Sequence, residues 1–107
     1  MAPNASIIAP QGELDIATLD DFRRALSEAA SRPADSLVVD LSEVSFIDSS
    51  GLGAMIEVHD RLRRHRRPLA VVAPRGTAAA VALGLTGLRA RLPIFETRDA
   101  ALDAARD

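Results

Sequence analysis

Hydrophobic positions along this chain change their period several times, and each change marks an element. "SIIAP" is a short apolar run closed by Pro10 and Gly12. It predicts a strand over residues 6–9, continuing weakly through Glu13 and Leu14. In "ATLDDFRRALSEAASR", Leu19, Phe22, Ala25, Leu26 and Ala29 recur at helical spacing, with acids early and arginines later. Thr18 or Asp15 is placed to cap that helix, and Pro33 ends it. "DSLVVDLSEVSFID" is a continuous apolar run of β-branched type, the pattern of a central strand in a sheet covered on both faces. From Ser50 the helical period returns. Leu52, Met55, Ile56, Val58 and Leu62 make one buried stripe, "RLRRHRR" lies on the outer side, and Pro68 is the stop. "LAVVAP" predicts a second buried strand. "GTAAAVALGLTGL" predicts a small-residue helix ending near Gly87. "RLPIFET" holds a last short strand over residues 94–96, and "DAALDAARD" a terminal helix capped by Asp99 or Thr97. Strands alternating with helices through short connections imply an α/β layer fold whose strands are largely parallel.

Length and composition narrow the function classes. A chain of 107 residues is one domain's worth, taken here as 1–107, and is long enough for one real core. With 48% hydrophobic and 26% charged residues it reads as a soluble globular protein. The absence of cysteine excludes disulfides, thiolate metal sites and cysteine nucleophiles. The start, "MAPNASIIAPQGELD", has neither a basic n-region nor a long apolar h-region, so no signal peptide or membrane span is expected and the cytoplasm is the expected location. A net charge of −2 provides no basic field for nucleic acid, and three aromatics, all Phe, provide no stacking platform for single strands. Every basic residue is Arg; without Lys there is no Schiff-base chemistry and no phosphate-binding P-loop lysine.

Most catalytic constellations then fail on spacing. A dinucleotide fingerprint would need Gly at 51, 53 and 56, and position 56 is Ile56. A nucleophile elbow needs Gly two residues before its serine, where Ile47 and Asp48 stand instead. His59 and His65 lie on the helix that begins at Ser50. His59 is about 13 Å along the axis from Ser50 and on the opposite side, too far to act as its base. The two histidines are six residues apart and do not share a face as zinc ligands would, so both are expected to be solvated. The arginines of "HDRLRRHRRP" suit a solvated helix face near the C-terminal dipole end.

"FIDSSGLGAM", residues 46–55, remains. Ser49 or Ser50 can cap the helix, worth about 1 kcal/mol. One serine meets that need. Two serines followed by Gly51 and Gly53 exceed it, since each glycine costs roughly 1 kcal/mol against Ala inside a helix. Missing side chains leave room for another protein or a nucleotide, and a helix start offers N–H groups to an anion. A phosphate on a serine here would be an anion attached in place.

These residues resemble a known family. "VVDLSEVSFIDSSGLGAM", residues 38–55, resembles the signature of STAS domains, specifically of bacterial anti-sigma factor antagonists. "QGELDIATLDDFRRAL" is similar to the family's Gly-Glu-Leu-Asp turn and first helix, and "LGLTGLRARLPIFETRDAALDA" to its closing helix, strand and helix. The resemblance covers nearly the whole chain. It implies a small mixed, mostly parallel sheet of four to five strands, with about four helices mainly on one side. It also implies a non-enzyme that needs no cofactor. Such a protein, unmodified, binds an anti-sigma factor serine kinase with a histidine-kinase-like ATPase fold and so frees the sigma factor. The kinase phosphorylates the second serine of D-S-S-G, which releases the antagonist, and a PP2C-type phosphatase restores it. By position the phosphoacceptor is Ser50, with Ser49 the lesser candidate. Asp15, Asp48, Ser49, Gly51, Leu52 and Gly53 form the implied partner-binding surround, without direct contact to nucleic acid or membrane. Relatives carry a longer N-terminal extension that adds an edge strand, whereas here only a few residues, with Pro3 among them, precede "SIIAP". The alternative reading is a STAS subunit of a larger complex, a stressosome or a lipid-transport ABC ATPase, without a phosphorylation cycle. A small enzyme or direct nucleotide binder lacks a base, a metal site and a complete phosphate loop.

Overall fold

The computed structural model describes residues 5–105. Strands β1 (Ala5–Ile8), β3 (Ser36–Asp40), β5 (Leu69–Val72) and β6 (Ile94–Phe95) form one sheet in the order β1-β3-β5-β6, and β2 (Gly12–Leu14) and β4 (Val44–Ile47) form a separate two-stranded ribbon. Every pairing is parallel. Helices α1 (Leu19–Ser31), α2 (Ser49–Arg63), α3 (Ala78–Leu85) and α4 (Arg98–Ala105) alternate with the strands. Among the described residues no helix is long and apolar enough to cross a membrane.

β3 shows why the run at its centre had to be apolar on both faces. Each of its five residues is buried. Leu37 and Val39 enter the larger core with Phe22, Leu26 and Ala29 of α1 and Met55 and Leu62 of α2. Val38 faces the other way, into a smaller core with Ala70, Val72 and Ala101 of α4. Three helices therefore cover one face and α4 the other.

The apolar run over residues 35–48 is two strands, not the single one its pattern predicts. The Asp40 carboxylate accepts the Ser42 N–H at 3.0 Å and the Ser42 hydroxyl at 2.5 Å, turning the chain just after β3. Val44 N–H then donates to the Leu41 carbonyl at 3.1 Å, and β4 leaves for the ribbon. Likewise Glu13 and Leu14 do not prolong β1. Gly12, at φ +80°, redirects the chain and its N–H donates to the Glu43 carbonyl at 3.1 Å, so a new strand starts beside β4.

Other boundaries shift slightly. α3 stops at Leu85, and Gly87, at φ +74°, leads into an unforeseen 3-10 turn over Leu88–Ala90. The last strand ends at Phe95. Thr97 caps α4, its hydroxyl accepting the Ala100 N–H at 3.0 Å, while Asp99 lies inside the first turn. Residues 1–4, with Pro3, the part of the chain that bears on the family's N-terminal edge strand, fall outside the described residues.

Candidate functional site at the start of the second helix

The ribbon builds the site. Its register pairs Glu13 with Phe46 and Leu14 with Ile47. Leu14 and Ile47 point into the core; Glu13 and Phe46 point out. One residue on, the Asp48 N–H donates to the Leu14 carbonyl at 3.0 Å. That bond brings Asp15 to the same end of the molecule as Asp48, Ser49 and Ser50.

Asp48 is the helix cap. Its backbone is extended (φ −105°, ψ −175°), and its Oδ1 accepts the Ser50 N–H at 2.9 Å and the Gly51 N–H at 3.3 Å. The Leu52 N–H donates to the Asp48 carbonyl at 3.1 Å. The expectation that Ser49 or Ser50 caps α2 is thereby corrected: both are already helical, and a cap must lie outside the helix. Aspartate is as good a cap as serine, so the signal was present one residue earlier. A second correction follows. The N–H groups of Ser50, Gly51 and Leu52 are not open to an incoming anion, because the Asp48 carboxylate and carbonyl already hold them. Both serines are thus released from capping. Ser49 is exposed and Ser50 half-buried.

The two glycines do different things. A Cβ on Gly51 would lie 3.0 Å from Ile47 Cγ1, 3.1 Å from the Leu14 carbonyl oxygen and 3.2 Å from Leu14 Cβ. Gly51 is small so that α2 can sit on the ribbon, not to clear space for a visitor. Around Gly53 a Cβ would meet nothing within 4 Å, and that position is exposed. Leu52 is buried in the core, so its side chain shapes the site from below and offers no free surface.

Asp15 Oδ1 accepts the N–H groups of Ala17 and Thr18 at 3.0 and 3.1 Å, and the Thr18 hydroxyl donates to the Glu13 carbonyl at 2.9 Å while accepting the Asp15 N–H at 3.0 Å. This knot fixes the turn before α1. Thr18 occupies the cap position without a side-chain cap bond, and Asp15 does not cap the helix either. Two large apolar side chains stand out beside this knot: Ile16 at 72% exposure and Phe46 at 50%. Reading residues 35–48 as one buried strand concealed Phe46, and a lone Ile in a turn carries no periodic signal.

Elsewhere three charged groups, Asp40, Arg98 and Arg67, tie elements together. Burial pushes the Asp40 carboxyl up, but hydrogen bonds from Ser42 and Arg98 outweigh it and hold it below the usual carboxylate range. Arg98 Nε lies 2.6 Å from Asp40 Oδ2, clipping α4 to the end of β3. Arg67, from the arginine-rich segment, spreads its guanidinium over the carbonyls of Ala30, Arg32 and Ala34 at 2.6, 3.1 and 3.0 Å. His65 is exposed as expected, but His59 is not solvated: it is 8% exposed, with Nδ1 unpartnered. No cluster of His, Asp or Glu among the described residues could hold a metal ion.

A family model described as the STAS domain matches residues 2–101. The chain belongs to the STAS domain family. This STAS domain is similar to an anti-sigma factor antagonist from Mycobacterium paratuberculosis, with 30% identity and a TM-score of 0.82, over 97% of this chain and 87% of that one. It is also similar to a Thermotoga maritima protein named as a candidate anti-sigma factor antagonist, at 25% identity and a TM-score of 0.82, over 96% of this chain and 88% of that one. A sulfate transporter family protein from Wolinella succinogenes shares the fold at 19% identity and a TM-score of 0.75, over 95% of this chain and 84% of that one. A search of curated proteins returned no match.

Proposed function

We propose that this STAS domain is an anti-sigma factor antagonist that works by partner switching. Unmodified, it binds an anti-sigma factor serine kinase through the end of the domain that carries Asp15, Ile16, Phe46, Ser49, Ser50 and Gly53, and the sigma factor is set free. The kinase transfers the γ-phosphoryl group of ATP to Ser50 Oγ: the new O–P bond forms, the bond to the β-phosphate oxygen breaks, ADP leaves, and the hydroxyl proton passes to a base on the kinase. A PP2C-type phosphatase later removes the phosphate by hydrolysis. The chain itself supplies no catalysis, and its setting is the cytoplasm.

The observation that carries this reading is the Asp48 cap beside a half-buried Ser50. A phosphate adds about −1.5 to −2 charge. At an open helix start it would gain from the dipole and free N–H groups. Here the Asp48 carboxylate already holds the Ser50 and Gly51 N–H groups, so the phosphate adds a second anion beside the first. Docked against a partner it must be desolvated next to Asp48. A penalty of about 3 kcal/mol weakens binding roughly a hundredfold, with no change of fold.

The test is incubation with the cognate kinase and ATP, followed by mass spectrometry. Phosphate on Ser50 is the expected result; none, or phosphate only elsewhere, sinks the reading. Ser50→Ala should bind the ADP-loaded kinase like the parent protein, and Ser50→Asp more weakly. Co-purification with transporter subunits in place of a sigma regulator would replace this reading with that of an assembly subunit.

A further inference from the structure

The net charge of −2 hides two opposite poles. All strand pairs are parallel and the helices between them run back, so the strand starts, the C-terminal ends of α1 and α2 and the 3-10 turn share one end of the domain. Five arginines fall in the seven residues 61–67 at that end. Arg67 is held by the carbonyls of Ala30, Arg32 and Ala34. Among the described residues, the guanidinium groups of Arg61, Arg63, Arg64 and Arg66 are exposed and make no hydrogen bond or ion pair, and the same is true of Arg89 in the 3-10 turn. Three acids, Glu28, Asp35 and Asp103, lie toward this end. The opposite end carries Glu13, Asp15, Asp20, Glu43 and Asp48, none of them in an ion pair, whereas its arginines Arg24, Arg75 and Arg98 each sit against an acid. The 15 residues of α2 separate the poles by about 20 Å, more than twice the Debye length of about 8 Å at physiological ionic strength. Each pole therefore acts as a separate field. Arginines near a helix C-terminus complement its dipole, but that need does not explain Arg66. Its φ is +57°, the left-handed position of a Schellman turn in which the Arg66 N–H donates to the Arg63 carbonyl at 3.1 Å and the Arg67 N–H to the Leu62 carbonyl at 3.0 Å. Glycine is the usual residue there, because a Cβ is strained in this conformation. The turn instead presents one more unpartnered guanidinium.

We propose that the arginine pole of one copy docks on the acidic pole of a second, a head-to-tail contact between identical chains. The acidic pole carries what arginine recognises. Its carboxylates accept the guanidinium fork in paired bonds. The half-exposed ring of Phe46, across the ribbon from Glu13, offers a face on which a guanidinium stacks. The methylene stems of the same arginines suit Ile16, which stands exposed at that end. The surface complementary to the arginine pole is thus present on the chain itself. Because the two surfaces differ and lie at opposite ends, the contact is heterologous, and each copy can take a neighbour at both. Every copy but the last then has its Ser50 end covered by the next, which withholds that serine from any other protein.

The test is sedimentation velocity of the full chain from about 10 μM to about 1 mM, at about 20 mM and about 300 mM salt, where the Debye length is about 20 Å and about 6 Å. At low salt the weight-average sedimentation coefficient should climb with concentration without levelling at a dimer. At high salt it should stay at the monomer value. The triple variant Arg63→Glu/Arg64→Glu/Arg66→Glu should remain monomeric at low salt with a melting point close to the parent protein's, and so should Glu13→Lys/Asp20→Lys. Each variant keeps one pole intact, so an equimolar mixture of the two should associate and stop at a 1:1 pair. Arg66→Gly relieves the turn and removes one charge. It should melt no lower than the parent protein and need about threefold higher concentration to associate. A parent protein that is monomeric at low salt overturns the proposal. So does association that survives high salt or the triple substitution, a mixture of variants that does not pair, or an Arg66→Gly variant that associates as the parent protein does. If the monomeric parent protein instead floats with vesicles containing phosphatidylglycerol, an anionic membrane is the occupant and the second copy is not.

Discussion

Gly51→Ala sets two effects of known size against each other. Inside a helix Ala is favoured over Gly by about 1 kcal/mol. Against this stand three contacts that the new Cβ would make, at 3.0, 3.1 and 3.2 Å. Ile47 Cγ1 can yield by a small side-chain rotation. The Leu14 carbonyl oxygen cannot, because it is backbone, lies in the ribbon, and already accepts the Asp48 N–H at 3.0 Å. Moving it stretches that bond, worth about 1 kcal/mol, and disturbs the residue that caps α2. Overpacking of this kind typically costs 1–3 kcal/mol, so Gly51→Ala should be destabilised by about 1–2 kcal/mol net. Gly53→Ala has the propensity gain and no contact to offset it, and should be more stable by up to about 1 kcal/mol. For a domain of this size 1 kcal/mol moves the melting midpoint by roughly 4–8 °C. Urea and thermal melts of the two variants should therefore move in opposite directions. Equal stability of Gly51→Ala and the parent protein, or shifts of one sign in both variants, would falsify the argument that Gly51 serves the ribbon contact. The same pair separates fold from recognition: a better-folded Gly53→Ala that binds the kinase less well would assign Gly53 to the partner.

Three further outcomes are expected. Asp48→Asn keeps a good cap and removes the charge beside Ser50, so its melting point should change little while the affinity gap between phosphorylated and unmodified forms narrows several-fold; an unchanged gap, read by calorimetry against the kinase, refutes the like-charge mechanism. Arg67→Ala removes three bonds to carbonyls at and just beyond the end of α1 and should cost about 2–3 kcal/mol by urea denaturation, with Arg67→Lys recovering little of it because an ammonium lacks the planar fork; full recovery by Lys would refute the geometric role. Asp40 has its folded carboxyl held below its ordinary value of 3.8, so its contribution is fully present above about pH 5 and is lost as pH falls through the lowered folded value; the stability difference between the parent protein and Asp40→Asn should shrink from pH 7 to pH 3, and a widening difference would contradict it.

Much of the scaffold was legible because each long element carried a clean period. Leu19, Phe22, Leu26 and Ala29 marked α1, and the unbroken β-branched run marked β3. The ribbon was not legible, because residues 12–14 and 44–47 are too short to show a period and their pairing partners lie some thirty positions apart. Ser42 and Glu43, polar in an apolar run, were the available sign that β3 ends there. At the site, D-S-S-G marked the junction where α2 begins, but the cap is Asp48 and neither serine, because the extended backbone of Asp48 is set by its bond to Leu14, a tertiary contact. His59 failed for a related reason: the pattern marks the buried stripe's centre and not how far the neighbouring elements wrap around it.

The ribbon has a consequence for how such domains diversify. Its inward residues, Leu14 and Ile47, belong to the core, while Glu13, Ile16 and Phe46 face solvent and contribute little to it. Outward positions of this kind can change charge or bulk with almost no penalty in folding, and partner choice rests on differences in affinity that one or two such changes can supply. Duplicated copies of one scaffold could thus drift apart in the same cell, each with its own partner, with the Asp48 cap and the Gly51 seat held constant beneath them.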